Sequence, residues 1–272
     1  MNLCRGCTHG CIYCDSRSLC YGMDHDFEDV EIKINAPELL EEKLSRKRRR
    51  CMIGTGSMSD PYIPIDESLE ITRTCFGLIE KYGFGLTIQT KSSLILRDLD
   101  LLRRINKKAK CVVAMTLTTF DEDLCRIVEP NVCTTRERFK TLKTMRDNGI
   151  ETVVWLCPIL PFINDTEENI RGILGYCVEA EVRGILCFGM GMTLREGDRE
   201  YYYKMLDKHF PGTREKYERK YGNSYSITCD NNSRLMAIFR ETCEKNKILY
   251  DTDEVFEFMR RFDEKEEQPE LF

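Results

Sequence analysis

The sequence lacks long apolar runs and an excess of positive charge. No run of about 18 apolar residues occurs, which is roughly what a membrane-spanning helix needs, so we expect no membrane span. The first residues lack the order of charged, apolar and small residues that is typical of a secretory signal. Lys plus Arg number 41 and Asp plus Glu number 46, a net charge of −5, which argues against a general polyanion-binding protein.

Cysteine, by contrast, is abundant, with 15 residues among 272. Without an export signal, such a chain is expected in a reducing compartment, where most thiols stay free. We therefore expect a cytoplasmic protein. The sequence has no low-complexity linker and no internal repeat, so its length fits one large domain or a domain with a modest addition.

Short β-rich runs alternate with amphipathic helical patterns along most of the chain. The predicted strands are continuously apolar or β-branched, as strands buried on both faces are: 1–5, 51–56, 84–90, 111–118, 152–160 and 184–190. The predicted helices have apolar residues three and four apart: 36–50, 67–83, 96–108, 134–149 and 166–181. This alternation predicts an α/β fold, a partial (βα)6 TIM-type barrel over 1–196, with a helical C-terminal extension over 197–272 packed on it.

The loop RGCTHGCIYCDSRSLC (5–20) carries four cysteines, and Cys4 precedes it. The spacing Cys7-x3-Cys11-x2-Cys14 places three thiolates on one short loop, which can hold three irons of a [4Fe-4S] cluster and leave the fourth without a protein ligand. Catalysis at a metal needs such an open position. Two other interpretations stay open: a closed four-thiolate zinc site that includes Cys4, or incidental thiols in a cysteine-rich chain.

The C-x3-C-x2-C spacing with an aromatic residue before the last cysteine (CIYC) resembles the radical SAM superfamily. Longer stretches resemble its spore photoproduct lyase-like branch, often labelled DNA repair photolyase: GTGSMSDPY (54–62), TKSSLILRDLDLL (90–102), VEPNVCTTRERF (128–139), LCPILPF (156–162) and LREGDREYYYKMLDKHFPG (194–212). The resemblance implies a [4Fe-4S] cluster, S-adenosylmethionine (SAM) chelated to the fourth iron, and a reducing electron donor such as ferredoxin or flavodoxin. It also implies that the reduced cluster cleaves SAM to a 5′-deoxyadenosyl radical, which abstracts hydrogen from a substrate.

Carried over residue by residue, the resemblance implies three cluster ligands: Cys7, Cys11 and Cys14. The backbone of Tyr13 is expected to meet the adenine of SAM. The end of the second strand takes the place of the glycine-rich motif that binds the SAM amino group: Gly54, Thr55, Gly56 and Ser57. Lys91 and Thr116 match positions that face SAM, although a solvated lysine and a β-forming threonine also explain them.

Two positions depart from the lyase pattern. True spore photoproduct lyases have a hydrogen-donating cysteine where this chain has Ser57, and a tyrosine where it has Asp15. A serine O–H is a poorer hydrogen-atom donor than a thiol, and a carboxylate cannot relay a radical as a phenol does. The resemblance thus implies shared radical chemistry with an unassigned substrate. The candidate catalytic residues are Ser57, Lys91 and Cys157, the last of which is also explained as a buried, inert thiol.

Three functions therefore stay open: hydrogen abstraction from an unknown substrate, repair of a pyrimidine lesion in DNA, and a non-catalytic iron–sulfur or zinc-binding protein. DNA binding has one candidate segment, RKRRR at 46–50, which a solvated helix end also explains. We expect Glu129 to pair with Arg138 and to fix the loop after the fourth strand. Because only six residues precede Cys7, we expect the given start to be internal or late, although a naturally short first strand also explains it.

Overall fold

The computed structural model describes residues 1–262, which contain nine strands and ten α-helices. The strands are β1 (Cys4–Arg5), β2 (Glu31–Ile32), β3 (Met52–Thr55), β4 (Gly85–Thr90), β5 (Cys111–Thr116), β6 (Glu151–Trp155), β7 (Gly184–Leu186), β8 (Gly191–Thr193) and β9 (Ser226–Thr228). The helices are α1 (Ala36–Arg46), α2 (Asp66–Lys81), α3 (Leu99–Lys108), α4 (Glu122–Val128), α5 (Thr135–Asp147), α6 (Glu167–Glu179), α7 (Asp198–His209), α8 (Thr213–Tyr221), α9 (Asn232–Asn246) and α10 (Thr252–Arg260). Five strands form one parallel sheet in the order β3-β4-β5-β6-β7.

Helices connect the successive parallel strands, because a parallel pair needs a crossover that returns the chain to the same edge. α2 joins β3 to β4, α3 joins β4 to β5, α4 and α5 join β5 to β6, and α6 joins β6 to β7. Side chains fix two of the helix starts. Asp121 accepts a hydrogen bond from the Leu124 amide at α4, and Thr166 accepts one from the Asn169 amide at α6. The predicted α/β alternation is confirmed.

The parallel sheet is buried on both faces, and every residue of its central strand β5 is buried. Val113 belongs to the main core with side chains of α2, α3, α5 and α6. Its neighbour Val112 belongs to a second cluster with Val255 and Met259 of α10. Since successive side chains of a strand point to opposite faces, α10 covers the face that the other helices leave open. Burying each such side chain contributes about 1.5–3 kcal/mol.

The first predicted strand, 1–5, differs from the prediction. Only Cys4–Arg5 is extended, and β1 pairs antiparallel with β2 outside the parallel sheet. The chain turns at Gly6, which has a φ of 83° and whose Cβ, if present, would lie 2.5 Å from Phe27 O. The Cys7 amide also donates to Phe27 O at 2.9 Å. The segment that follows the cysteine loop thus pairs with β1, which precedes the loop. As a result, the parallel sheet of the described chain has five strands, not six.

The predicted extension, 197–272, is described as far as residue 262. It contributes α7 to α10 and β9, which pairs antiparallel with β8. Tyr202 of α7 and Tyr217 of α8 are fully buried with their hydroxyl oxygens 3.0 Å apart, and the Tyr217 hydroxyl donates to Pro161 O at 3.0 Å. The extension therefore packs on the loop after β6, while a domain division at residue 196 stays a prediction. No described helix combines the length and apolarity that crossing a membrane requires.

Candidate active site

Most of the residues singled out in the sequence meet at the carboxyl end of the parallel sheet. A cavity of about 100 Å³ lies there between the cysteine loop and the ends of β3, β4 and β5. The sequence-predicted residues that line it are Cys7, Cys11, Cys14, Gly56, Ser57, Lys91 and Thr116. Parallel α/β folds place their ligands at this edge, where the loops that follow the strands come together. We call it the thiol cavity.

A second cavity, of about 450 Å³, is lined by Tyr13, which lies between two thiols of the loop. Asp15 lines it too, and so do Cys157 and Pro158 at the end of β6. The remaining wall comes from β8, β9, the first residue of α9 and the loop after β7, including the exposed ring of Phe188. Its volume is within the range of small-molecule sites. We call it the large cavity.

Two predicted residues lie outside both cavities. Gly54 and Thr55 belong to β3, and the Gly54 carbonyl accepts a hydrogen bond from the Met1 amino group at 2.5 Å. Of the four residues predicted to bind the SAM amino group, only Gly56 and Ser57, which follow the strand, line the thiol cavity.

Burial dominates the chemistry of the cluster-type thiols. Cys7 and Cys11 are buried, and Cys14 is half-buried. Burial raises the pKa of the Cys7 thiol to about 12, with the carboxylate of Asp60 adding to the shift, and burial also raises the pKa of Cys11. Without a metal the Cys7 and Cys11 thiols are protonated at neutral pH, and metal binding would displace their protons. Three soft ligands around one cavity are the donor set that a [4Fe-4S] cluster with an open iron requires.

Cys4 and Cys20 do not belong to this donor set. The Cys4 thiol is buried 3.2 Å from Ser68 Oγ, and the exposed Cys20 thiol lies 3.5 Å from Arg195 Nη1. Within residues 1–262, no three His, Cys, Asp or Glu side chains are arranged to hold a single metal ion. A zinc site needs its thiolates to converge on one ion at about 2.3 Å, whereas a cubane gives each thiolate its own iron. Cys7, Cys11 and Cys14 line the thiol cavity, and Cys4 does not.

The turn after β3 is dictated by its neighbour β4. Gly56 has a φ of 95°, and a Cβ there would lie 1.8 Å from Gln89 O, so only glycine fits. By contrast, a Cβ on Gly54 would meet nothing within 4 Å. The close approach carries Ser57 to the wall of the thiol cavity, where its hydroxyl donates to Asn2 Oδ1 at 3.3 Å.

Asp60 lines the thiol cavity and connects several of its segments, a role that was not predicted from the sequence. Its Oδ1 accepts from the Thr90 hydroxyl at 2.7 Å and from the Tyr62 amide at 2.9 Å. Its Oδ2 accepts from the Lys91 amide at 2.7 Å and lies 3.5 Å from His9 Nδ1. One buried carboxylate thus connects the cysteine loop to the end of β4. The only local signal was an Asp-Pro pair, which is typical of any turn.

A buried ion pair holds the other side of the cysteine loop. Glu129 and Arg138 are both fully buried with Oε2 and Nη1 2.6 Å apart, so the predicted pair is confirmed. The Tyr13 hydroxyl donates to Glu129 Oε1. Arg138 also donates to Thr116 O at 3.0 Å and to Cys133 O at 2.7 Å. One guanidinium therefore joins the cysteine loop, the end of β5 and the loop before α5.

Glu129 and Lys91 stay charged although both are buried, because neighbouring opposite charges outweigh the effect of burial on their pKa values. Burial raises the pKa of Glu129, but Arg138 and Lys91 outweigh it, and the net shift is downward, so the carboxylate is ionised. Burial lowers the pKa of Lys91, but Cys11, in the thiolate form that binds metal, and Glu129 raise it, and the net shift is upward. Lys91 is therefore a cation at neutral pH, and its ammonium lies 5.8 Å from the Tyr13 ring centroid. It can attract an anionic group into the thiol cavity.

Asp15 and Cys157 both line the large cavity but offer different chemistry there. Asp15 Oδ1 lies 3.3 Å from Arg195 Nε, and its Oδ2 accepts from the Tyr21 hydroxyl at 3.0 Å. Burial raises the pKa of Cys157 to about 12, with Cys187 adding to the shift. Cys157 is thus a neutral thiol, the form that carries a transferable S–H hydrogen, whereas the Asp15 side chain is held by Arg195 and Tyr21.

The basic segment 46–50 lies at the other edge of the sheet. It directly precedes β3, whereas Gly56 and Ser57 directly follow it. Arg46 pairs with Glu42 one turn earlier in α1 at 2.7 Å, and the segment is exposed. This is the solvated helix end that the charge pattern also allowed, and it does not line either cavity.

Comparison with known proteins agrees with this arrangement. The family model described as the radical SAM superfamily matches residues 1–174. An uncharacterized protein of Mycobacterium tuberculosis is 29% identical over 223 residues, 80% of this chain and 65% of the relative. An uncharacterized protein of Methanocaldococcus jannaschii is 33% identical over 164 residues, 60% of each chain. The chain thus spans about 60 to 65% of the length of these relatives.

Among solved structures, the chain is similar to a spore photoproduct lyase mutant with bound AdoMet and dinucleoside spore photoproduct. The TM-score is 0.64 at 14% sequence identity, and the match covers 92% of this chain and 74% of the lyase. At this identity the likeness shows the fold, and it confirms the α/β partial barrel.

Proposed function

The chain belongs to the radical SAM superfamily, and from this premise we propose that it is an enzyme that abstracts hydrogen from a substrate after reductive cleavage of SAM. Membership of the superfamily brings a [4Fe-4S] cluster and SAM as cofactors. The reaction type within that class, lyase-like or oxidoreductase, and the substrate belong to the proposal. So does a cytoplasmic location.

Cys7, Cys11 and Cys14 would hold the cluster, each thiolate binding one iron and leaving the fourth iron open. When bound, the cluster and SAM supply the electron and the 5′-deoxyadenosyl radical. The protein's own task is to place these cofactors and to keep water away from them. The pair of Tyr13 and Glu129 on one side and Asp60 on the other restrict the cysteine loop for that task.

The two cavities divide the proposed SAM contacts. Lys91, Ser57 and Thr116 line the thiol cavity, where a cation and two hydroxyls would bind the charged amino-acid end of SAM. Tyr13 lines the large cavity, where its backbone would meet the adenine. The single observation that carries the proposal is that one cavity gathers the three thiols, the glycine turn, Lys91 and Thr116 from four separate chain segments.

Cys157 is the candidate hydrogen donor of the large cavity. It is the neutral thiol that lines this cavity. Ser57, by contrast, is a poor hydrogen-atom donor, because its O–H bond is stronger than the S–H bond of a thiol. Lesion repair in DNA is the weaker alternative for two reasons. Ser57 and Asp15 replace residues on which the lyase reaction depends, and the basic segment 46–50 lies at the opposite edge of the sheet.

The test is anaerobic reconstitution with iron and sulfide, followed by reductant and SAM. Formation of 5′-deoxyadenosine supports the proposal, and a cluster without SAM cleavage supports a non-catalytic iron–sulfur protein. Turnover of lesion-bearing oligonucleotides would support the DNA alternative. Cys187 is a buried thiol that lines neither cavity, so comparison of Cys157→Ala with Cys187→Ala separates a hydrogen donor from a structural thiol.

A further inference from the structure

Arg17 lies three residues after Cys14, and its guanidinium is enclosed by two aromatic rings. The Arg17 amide donates to Cys14 O at 3.1 Å. The central carbon of the guanidinium lies 3.8 Å from the ring centroid of Tyr201 on α7 and 4.6 Å from that of Phe27. Phe27 packs in one apolar cluster with Cys7 and Cys14. The cation therefore shares an aromatic neighbour with two of the three proposed cluster ligands.

The positive charge of Arg17 is only partly compensated. Two nitrogens of the guanidinium donate to the carboxylate of Glu28, but the Nε–H group is buried without a hydrogen-bond partner among residues 1–262. The side chain of Arg17 is 6% exposed, whereas that of Glu28 is 44% exposed. Solvent therefore screens the carboxylate more than the guanidinium, and the cation acts on its neighbours through a medium of low polarity.

The charge of Arg17 is felt at the cysteine loop. Burial lowers the pKa of the guanidinium, but Glu28 raises it, as does Cys14 in the thiolate form that binds metal, and the net shift is upward. The interaction between the guanidinium and this thiolate is thus favourable. Because reduction adds one negative charge to an iron–sulfur cluster, a cation close to a cluster ligand favours the reduced form.

From these contacts we infer that Arg17 raises the reduction potential of the cluster that the three cysteines of the loop would hold, and that Tyr201 and Phe27 keep its guanidinium in place. The inference rests on the proposed function, since the cluster belongs to it. One electron from a one-electron reductant enters the cluster, Arg17 stays protonated, and no bond forms or breaks. Through Tyr201, α7 takes part in setting the electronic properties of the site.

Three substitutions separate the charge of Arg17 from its packing. Arg17→Gln removes the charge and keeps a polar side chain, Arg17→Lys keeps the charge, and Glu28→Gln keeps the cation but removes its carboxylate partner. The matched control is Arg214→Gln. Arg214 pairs with Asp207 at 2.9 Å, lies 5.6 Å from the ring centroid of Tyr203 on α7 and lines neither cavity.

The reduction potential of each reconstituted protein is measured without SAM, by anaerobic redox titration with mediators followed by electron paramagnetic resonance. An iron assay on the same samples restricts the comparison to proteins with an intact cluster. Urea denaturation of the metal-free proteins reports their stability separately.

We expect Arg17→Gln to lower the equilibrium constant for one-electron reduction about tenfold or more, which corresponds to a fall of about 59 mV. Arg17→Lys should keep the wild-type potential, and Glu28→Gln should raise it. Arg214→Gln should leave the potential unchanged even where it lowers stability.

A wild-type potential in Arg17→Gln, or an equal fall in Arg17→Lys, would overturn the inference. Should Arg17→Gln not fold, an unchanged or lowered potential in Glu28→Gln would overturn it equally. Wild-type protein that binds no iron, or that holds a reducible cluster without cleaving SAM, would instead count against the proposed function.

Discussion

The hydroxyl of Tyr13 provides a sharp test of how the cysteine loop is held. It donates to Glu129, which is fully buried and ionised because Arg138 and Lys91 offset its desolvation. A hydrogen bond to a charged group contributes about 1.5–3 kcal/mol. Tyr13→Phe keeps the ring and removes only this bond, so the free energy of unfolding should fall by that amount in urea denaturation.

Tyr62 offers a matched control elsewhere in the fold. Its hydroxyl donates to the buried carboxylate of Asp98 at 3.1 Å, and Asp98 pairs with Arg73 at 2.6 Å. Tyr62→Phe therefore removes the same kind of hydrogen bond at a place that lines neither cavity. The two variants should lose similar stability.

Only the Tyr13 hydroxyl acts on the loop that carries the proposed cluster ligands. If the full 1.5–3 kcal/mol is lost from the ordering of that loop, SAM binding should weaken about 10- to 150-fold. Equilibrium binding of labelled SAM to the reconstituted protein, with an iron assay on the same samples, measures this effect. Equal SAM affinity in Tyr13→Phe and Tyr62→Phe would refute the idea that the Glu129 network positions the loop.

Three further predictions follow from the described contacts. Gly56→Ala should lower the free energy of unfolding by about 3 kcal/mol or more, because its Cβ would lie 1.8 Å from a carbonyl oxygen, while Gly54→Ala should have little effect in the same urea assay. Cys7→Ala should lower the iron content after reconstitution and Cys4→Ala should not; equal losses would indicate a four-thiolate site. Burial raises the pKa of Asp198 from 3.8 to about 6, so the folded state favours the neutral acid. The wild type should thus lose stability relative to Asp198→Asn as pH rises from about 4 to about 6, and parallel urea midpoints at both pH values would contradict this.

The parts of the fold and site that were predictable from sequence are those with a local pattern. Continuous apolar runs identified the buried strand β5, and cysteine spacing identified the loop that lines the thiol cavity. The pair of Glu129 and Arg138 was also predicted, because a carboxylate in the loop after the fourth strand needs a partner and an arginine lies in the helix that follows.

The parts that were not predictable depend on contacts between distant segments. The first strand was expected in the parallel sheet, but a turn at Gly6 and the Phe27 carbonyl pair β1 with β2 instead. The role of Asp60 arises from distant partners on both sides along the chain, namely His9, 51 residues before it, and Lys91, 31 residues after it. No single-residue propensity encodes such convergence, because backbone register and loop packing decide it.

The most direct measurement of the central claim is electron paramagnetic resonance of the reconstituted, dithionite-reduced protein with and without SAM. An open iron next to Cys7, Cys11 and Cys14 predicts about four irons per chain and a reduced-cluster signal that changes when SAM is added. Protein that binds no iron, or a cluster signal that SAM leaves unchanged, would contradict the account.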